Sequence, residues 1–182
     1  MVPALPFALD VEIVTLLASP VHRYGGRPAD GPRDATAREE HETIQIRAGL
    51  GIIGDRYFGH AAPRTASVTL MAVESLEHVG RVLGLGPLDP SLTRRNIMLR
   101  GAPIDELRGE DFSLDTGSGA VLFRAHRPAN PCAWMDVAFA PGAHRALLKR
   151  GGIRCEPLTG GTLALGPAVL RTERVLAQPT LI

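Results

Sequence analysis

Arg150-Gly151-Gly152-Ile153-Arg154-Cys155-Glu156-Pro157-Leu158-Thr159-Gly160-Gly161-Thr162-Leu163-Ala164-Leu165-Gly166-Pro167-Ala168-Val169-Leu170-Arg171-Thr172 is the stretch that decides the fold class. Short β-rich runs lie around Ile153, at residues 162–165 and at residues 169–172. Gly160-Gly161 and Gly166-Pro167 punctuate them, and such pairs mark turns. Turn signals at this spacing, with few helices in the chain, predict a mainly β protein. The expected architecture is a closed or nearly closed β-barrel with a few short helices.

Upstream, residues 121–126, 112–114, 67–71 and 11–17 read as further strands, with a turn at Leu107 and Gly109. In residues 42–47, Ile44 and Ile46 alternate with Thr43 and Gln45, the pattern of a half-buried strand. Residues 93–99 place Arg94, Arg95 and Asn96 at the start of an apolar strand. If that strand is regular, the two arginines point to opposite faces and cannot share one pocket. Apolar residues at 72, 73, 76, 79, 82 and 83 predict an amphipathic helix, ended by Gly84 and Gly86-Pro87. Within it, Glu74 suits either a site or a solvated face. Residues 134–139 and 143–149 read as short helices broken by Pro141-Gly142. The span 19–35, dense in Gly, Pro and charge, reads as one long loop, a type that is often functional. Its Arg23, Tyr24 and Arg27 are available for ligand contacts or for solvent.

At 182 residues, 45% of them apolar, the chain has the length of one domain, residues 1–182, with a core of ordinary size. Its net charge of +1 gives no reason to expect nucleic acid or an anionic membrane as a bulk partner. The positive charge is almost all arginine, with Lys149 as the single lysine. Two cysteines, Cys132 and Cys155, make neither a disulfide framework nor a zinc site. The histidines are scattered singly, so a protein-ligated metal cluster is not expected. The start of the chain lacks the basic region of a signal peptide, and no apolar run reaches membrane-spanning length, so a reducing cytoplasm is the expected location.

Two stretches stand out chemically. In Arg127-Pro128-Ala129-Asn130-Pro131-Cys132-Ala133-Trp134-Met135, a cysteine sits between a strand and a helix. The first N–H groups of a helix favour an anion, and Arg124, His126 and Arg127 lie just upstream. Both features favour a thiolate, the reactive form of cysteine. Two prolines stiffen the approach. The alternative is an inert cysteine in a loop. In residues 49–60, four glycines surround Gly54-Asp55-Arg56. The spacing matches neither a dinucleotide fingerprint nor a phosphate-binding P-loop. Either the segment is a hairpin with an exposed ion pair, or a rigid turn holds Arg56 at a ligand.

Six pieces occur in order: Gly51-x-x-Gly54-Asp55-Arg56, Val68-Thr69-Leu70 leading to Glu74, Arg95-Asn96-Ile97, Pro131-Cys132, Gly151-Gly152, and Gly160-Gly161 with Leu165-Gly166. In this order the chain resembles the MOSC family, domains similar to the C-terminal part of molybdenum cofactor sulfurases that also occur as small stand-alone proteins. The resemblance runs from about residue 11 to 173. It implies a β-barrel and a pocket for an anionic molybdenum cofactor (molybdopterin). It also implies that Cys132 is the catalytic residue, as a molybdenum ligand or as a sulfur carrier through a persulfide. Gly54, Asp55 and Arg56 match one motif of the pocket, Arg95 and Asn96 another, and Arg127 adjoins the cysteine; these are the expected cofactor-binding residues. Many relatives carry a lysine-containing first loop and Gly-Glu-Asn where this chain has Arg94-Arg95-Asn96. Nothing resembles the pyridoxal-phosphate domain of the large sulfurases.

Three functions follow as expectations. One is a molybdenum-cofactor enzyme that reduces N-hydroxylated compounds and needs a separate electron-transfer protein. Another is a carrier that passes sulfur from a Cys132 persulfide and needs a separate cysteine desulfurase. The third is a non-catalytic barrel that binds a small anionic ligand or a protein partner.

Overall fold

Period-two alternation builds the wall of this protein, and it is plainest near the end of the chain. In the computed structural model, which describes residues 5–35, 37–60 and 64–177, Ile153, Cys155 and Pro157 are buried while Arg154 and Glu156 face outward. The strands in chain order are β1 (Phe7–Leu16), β2 (Thr43–Arg47), β3 (Gly51–Ile52), β4 (Val68–Ala72), β5 (Ile97–Arg100), β6 (Asp111–Asp115), β7 (Val121–Pro128), β8 (Ile153–Pro157), β9 (Gly161–Ala164) and β10 (Gly166–Thr172). The helices are α1 (Val73–Leu83), α2 (Trp134–Ala138) and α3 (Ala143–Ala146).

Seven strands close into a barrel in the order β1-β10-β6-β7-β8-β4-β5, with β5 pairing back onto β1. The expected mainly β, closed architecture is what the chain forms. The 161–164 run, however, leaves the barrel and joins β2 and β3 in a separate three-stranded sheet. Gly166-Pro167 does not end a strand but opens β10, where Pro167 pairs with Glu12.

Within the barrel, β4 and β5 are parallel neighbours and the remaining adjacent pairs are antiparallel. A parallel pair needs a crossover, and α1 supplies it. Because that helix covers the wall, β4 is buried on both faces. Val68 and Leu70 enter the barrel core with Phe112 and Phe123, whose rings stack at 5.3 Å. Met71 and Met98 face outward into a second core with Val79, Trp134 and Leu147. Gly84, in the left-handed conformation, ends α1. Glu74 accepts a 2.7 Å hydrogen bond from the Gly101 amide, so it braces the helix against the end of β5.

The chain departs from regular strand geometry where Arg94 adopts φ 59°, after a short 3-10 turn over Pro90–Thr93. Residues 93–96 are therefore not strand, and β5 begins only at Ile97. The opposite-faces rule for Arg94 and Arg95 does not apply there.

Gly152 immediately precedes β8 with φ +83°, and a Cβ there would collide with the Leu70 carbonyl oxygen of the neighbouring strand. A left-handed non-glycine residue costs about 1–2 kcal/mol, and forced contact in a packed wall about 1–3 kcal/mol. Gly152→Ala is expected to destabilise the fold by about 3 kcal/mol, a drop of roughly 10 °C in Tm for a chain of this size, measurable by calorimetry.

Candidate functional site

Asn96 sits one residue before β5 and is buried. Its Oδ1 accepts from the Thr69 amide at 2.9 Å and from the Thr69 hydroxyl at 2.8 Å, and its own amide donates to Thr69 Oγ1 at 3.0 Å. Its Nδ2 donates to the Leu17 carbonyl at 3.0 Å and to Asp55 Oδ2 at 3.1 Å. One side chain therefore joins β1, β4 and the turn at Gly54, a glycine with φ +86°.

The Asp55 carboxylate is wholly buried. It also accepts from the Ser19 amide at 3.3 Å and the Tyr57 amide at 3.0 Å. The exposed ion pair of the hairpin reading is absent: β2 and β3 do form a hairpin, but Asp55 turns inward. Its nearest approach to Arg56 is 3.9 Å, too long for a hydrogen bond. Arg56 lies over the Tyr57 ring at 4.6 Å. Its Nε and Nη1 are buried and have no hydrogen-bond partner among the described residues.

Arg56, Arg95, Arg154 and Cys132 line one cleft of about 190 Å³. Cys132 is exposed there, whereas Cys155 is sealed in the barrel core. Burial raises the Cys155 thiol well above its ordinary pKa. The helix after Cys132 is a single turn whose Met135 and Asp136 amides already serve the Cys132 and Ala133 carbonyls, so it offers little to an anion.

What holds the cysteine loop is Arg95. Its Nε donates to the Gly151 carbonyl at 2.9 Å and its Nη2 to the Ala129 carbonyl at 2.6 Å. Nη1 takes no partner among the described residues. Burial first, and the Arg154 charge second, bring the Arg95 pKa down to about 10, still charged at neutral pH.

Opposite, the long loop folds over the cleft. Tyr24 stacks on Trp134 with ring centroids 4.9 Å apart and planes 6° from parallel, and its hydroxyl donates to the Leu92 carbonyl at 2.7 Å. Burial raises the Tyr24 pKa, keeping the phenol protonated. Burial and then the Arg56 charge lower the His22 pKa, so the imidazole at the cleft mouth is neutral at pH 7.

Arg94 also lines the cleft, but its guanidinium is spent on a bidentate pair with Glu39, at 2.7 and 2.8 Å. Burial works against the Glu39 carboxylate. Hydrogen bonds from Arg94 and Ser19 outweigh it and hold the pKa below the usual value.

Of the residues expected at the site, Arg56, Arg95, Asn96 and Cys132 line the cleft. Gly54, which is exposed, and Asp55, which is buried, do not line it, and Arg127 is exposed outside it. Arg124 is turned away onto Asp111, with two 2.7 Å hydrogen bonds, and His126 onto Glu156 at 3.2 Å. Arg27 does not line the cleft, while Arg23 and Tyr24 do. Sequence reasoning missed Arg154, whose only signal was its polar place in the alternation of β8, and Glu39, which carried none. Among the described residues, no three His, Cys, Asp or Glu side chains group to hold a metal ion, and no helix is long and apolar enough to cross a membrane.

A family model for the MOSC domain matches residues 55–176, more than half of the chain. The chain belongs to the MOSC domain family. That family is associated with binding of the molybdenum cofactor. The fold is similar to the crystal structure of YuaD from Bacillus subtilis, with a TM-score of 0.70, 15% identity, and coverage of 92% of this chain and 99% of that one. It is also similar to YiiM from Escherichia coli (TM-score 0.57, 14% identity, 93% of this chain and 72% of that one). YiiM from Geobacillus stearothermophilus gives 0.58 at 14% identity over 90% and 76%. At such identities the likeness is one of fold alone. No curated protein sequence matches at a significant level.

Two measurements check this geometry. Iodoacetamide should label Cys132 in the folded protein and leave Cys155 unmodified until denaturant is added, as followed by peptide mass spectrometry. Glu39→Gln should lower stability at neutral pH, with the gap to wild type closing as pH falls. A carboxylate whose folded pKa is depressed stabilises above its unfolded pKa and loses that contribution as pH falls through the folded one. A gap independent of pH would refute a charged Glu39.

Proposed function

We propose that the cleft holds an anionic molybdenum cofactor of the molybdopterin type and that Cys132 is its reactive protein ligand or its sulfur carrier. The observation that carries this reading is Arg56, whose buried Nε and Nη1 have no hydrogen-bond partner among the described residues. An unpaired buried guanidinium N–H is costly, and an anion is the partner that suits it. The donor set fits the group: Arg56, Arg154 and the free Nη1 of Arg95 for anionic and polar atoms, and an exposed thiol as a soft ligand for a transition metal. Gly54, Asp55 and Asn96 act on the cofactor through the position they impose on Arg56. When bound, the cofactor supplies two-electron redox chemistry at molybdenum. The Tyr24–Trp134 stack covers that side of the cleft and limits water.

Two uses of the site are open to this set. As a reductase, the protein would convert R–NHOH to R–NH₂ and water, consuming two protons and two electrons from a separate electron-transfer protein. As a carrier, the Cys132 thiolate would attack the outer sulfur of a desulfurase persulfide. The donor's S–S bond breaks, its thiolate leaves, and a Cys132 persulfide forms. The exposure of Cys132 favours the second use as much as the first, because a protein donor must reach the thiol. A barrel that binds a small anionic ligand or a protein without catalysis is the remaining reading. A cytoplasmic location is part of the same proposal, since a reducing compartment keeps Cys132 free.

Protein purified from a host that makes the cofactor should contain molybdenum. Arg56→Ala should lower its content about ten-fold or more, since a charge-assisted contact is worth roughly 1.5–3 kcal/mol. A desulfurase with labelled cysteine should place one reductant-releasable sulfur on the wild type if it is a carrier, and none on Cys132→Ser. Wild type with neither molybdenum nor a persulfide would leave the binding barrel.

A further inference from the structure

On the outer face of the barrel, two neighbouring cross-strand rows differ in charge. In the first, Asp111 of β6, Arg124 of β7 and Glu156 of β8 lie side by side in register. Acid, base and acid alternate, and Arg124 is paired with Asp111. In the next row Arg127 of β7 lies opposite Arg154 of β8, and Arg154 opposite Thr69 of β4. This row holds two arginines and no carboxylate. Neither arginine takes a hydrogen bond or ion pair among the described residues. Like charges directly opposite on adjacent strands repel, and Arg95 adds a third charge close to Arg154.

The juxtaposition depends on a break in register between Ala125 and Arg127. Regular alternation would set His126 across from Arg154 and send Arg127 toward the barrel interior. The extra residue keeps Arg127 on the outer face, which is how a bulge re-aims a side chain. Arg154 lines the cleft, and Arg127, opposite it on the next strand, is exposed and outside the lining. From Thr69 to Arg127 the row spans two strand spacings, about 10 Å.

We propose that Arg127 and Arg154 form a second anion subsite beside the cleft, taking a phosphate-type group of a ligand whose inner anionic part meets Arg56. The ligand class is thus a diphosphate or another compound with two separated anionic groups. The proposal rests on the reading of the cleft as an anion site, and not on molybdenum or on the reactivity of Cys132. A ligand anion between the two guanidinium groups replaces their repulsion by two charge-assisted contacts, and Arg's planar fork suits a phosphate.

Inorganic pyrophosphate is the probe, titrated by calorimetry into protein purified without the cofactor, in low-salt chloride buffer. The wild type should bind it. Arg127→Gln and Arg154→Gln should each weaken binding about ten-fold or more, and orthophosphate should bind more weakly than pyrophosphate. Thermal melts supply a second readout. Without ligand, Arg127→Gln should melt at or above the wild-type temperature because a repulsion is relieved, and added pyrophosphate should raise the wild-type Tm more than the variant's. Wild type that binds no pyrophosphate, or Arg127→Gln that binds it as wild type does, overturns the subsite. Pyrophosphate binding with both arginine effects, in a protein that acquires no molybdenum, would keep the subsite and remove the cofactor reading.

Discussion

The buried side chain of Asn96 is the interaction on which the cleft depends. An amide removed from water must have its donors and acceptor met, and here each partner belongs to a different part of the chain. Thr69 lies on β4, Leu17 at the end of β1, and Asp55 in the turn after β3. Satisfying one side chain therefore fixes where β4 and β1, the two strands that flank β5, and an outside turn meet. Asp55 is held by three further N–H groups besides its contact with Arg56, counting Asn96 among them. Its charge is thus spread over hydrogen bonds rather than neutralised by the adjacent guanidinium. Arg56 keeps unmet donors as a consequence. In a low-dielectric site such networks are worth most when complete, and the part left incomplete belongs to Arg56, a residue that lines the cleft.

Arginine use across the molecule follows the same division. Arg94 is spent on Glu39, Arg124 on Asp111, and Arg95 mostly on main-chain carbonyls. These hold structure: the long loop, the barrel wall and the cysteine loop. Among the described residues Arg127 and Arg154 have no ion pair and Arg56 has only the 3.9 Å approach of Asp55, and Arg56 and Arg154 line the cleft. A fold optimised for stability alone would place carboxylates among them, as it does one row away at Asp111 and Glu156. Unrelieved cost concentrated at one place is what a ligand site exhibits.

The barrel was legible because period-two burial and glycine turns leave a local trace, as the Ile153, Cys155 and Pro157 alternation shows. The sorting of β9 into a second sheet was not, because its pairing with β2 joins residues more than a hundred positions apart, and no local pattern encodes the choice. Cys132, Arg56, Arg95 and Asn96 were legible as motif residues, yet their tasks were not. Asn96 and Arg95 differ from ligand contacts only in what their donors meet, and partners such as Gly151 and Ala129 are backbone atoms without sequence identity. The expectation for residues 93–99 failed at one dihedral. Once Arg94 is left-handed, strand alternation no longer governs its neighbours. Arg124 and His126 looked adjacent to the cysteine in sequence, but strand β7 aims them at Asp111 and Glu156.

The two cysteines show how the fold separates an inert thiol from an available one. Cys155 is a core residue: it packs with Ile153 inside the barrel, and burial holds it protonated. Cys132 owes its position to bonds made by its neighbours' backbone. Ala129 donates to the Gly152 carbonyl at 2.8 Å and accepts from Arg95, while Gly152 in turn donates to Asp105 at 2.9 Å. None of these contacts uses the sulfur. A loop pinned through its main chain, with the wall behind it tied to β8 and to Arg95, can present a side chain in one place without engaging that side chain. Rigid support and a free reactive atom are otherwise competing demands on a cysteine, since packing that fixes a thiol also buries it. Here Arg95 meets the first demand from a distance, and for that reason the same arginine has only one nitrogen left to offer a ligand.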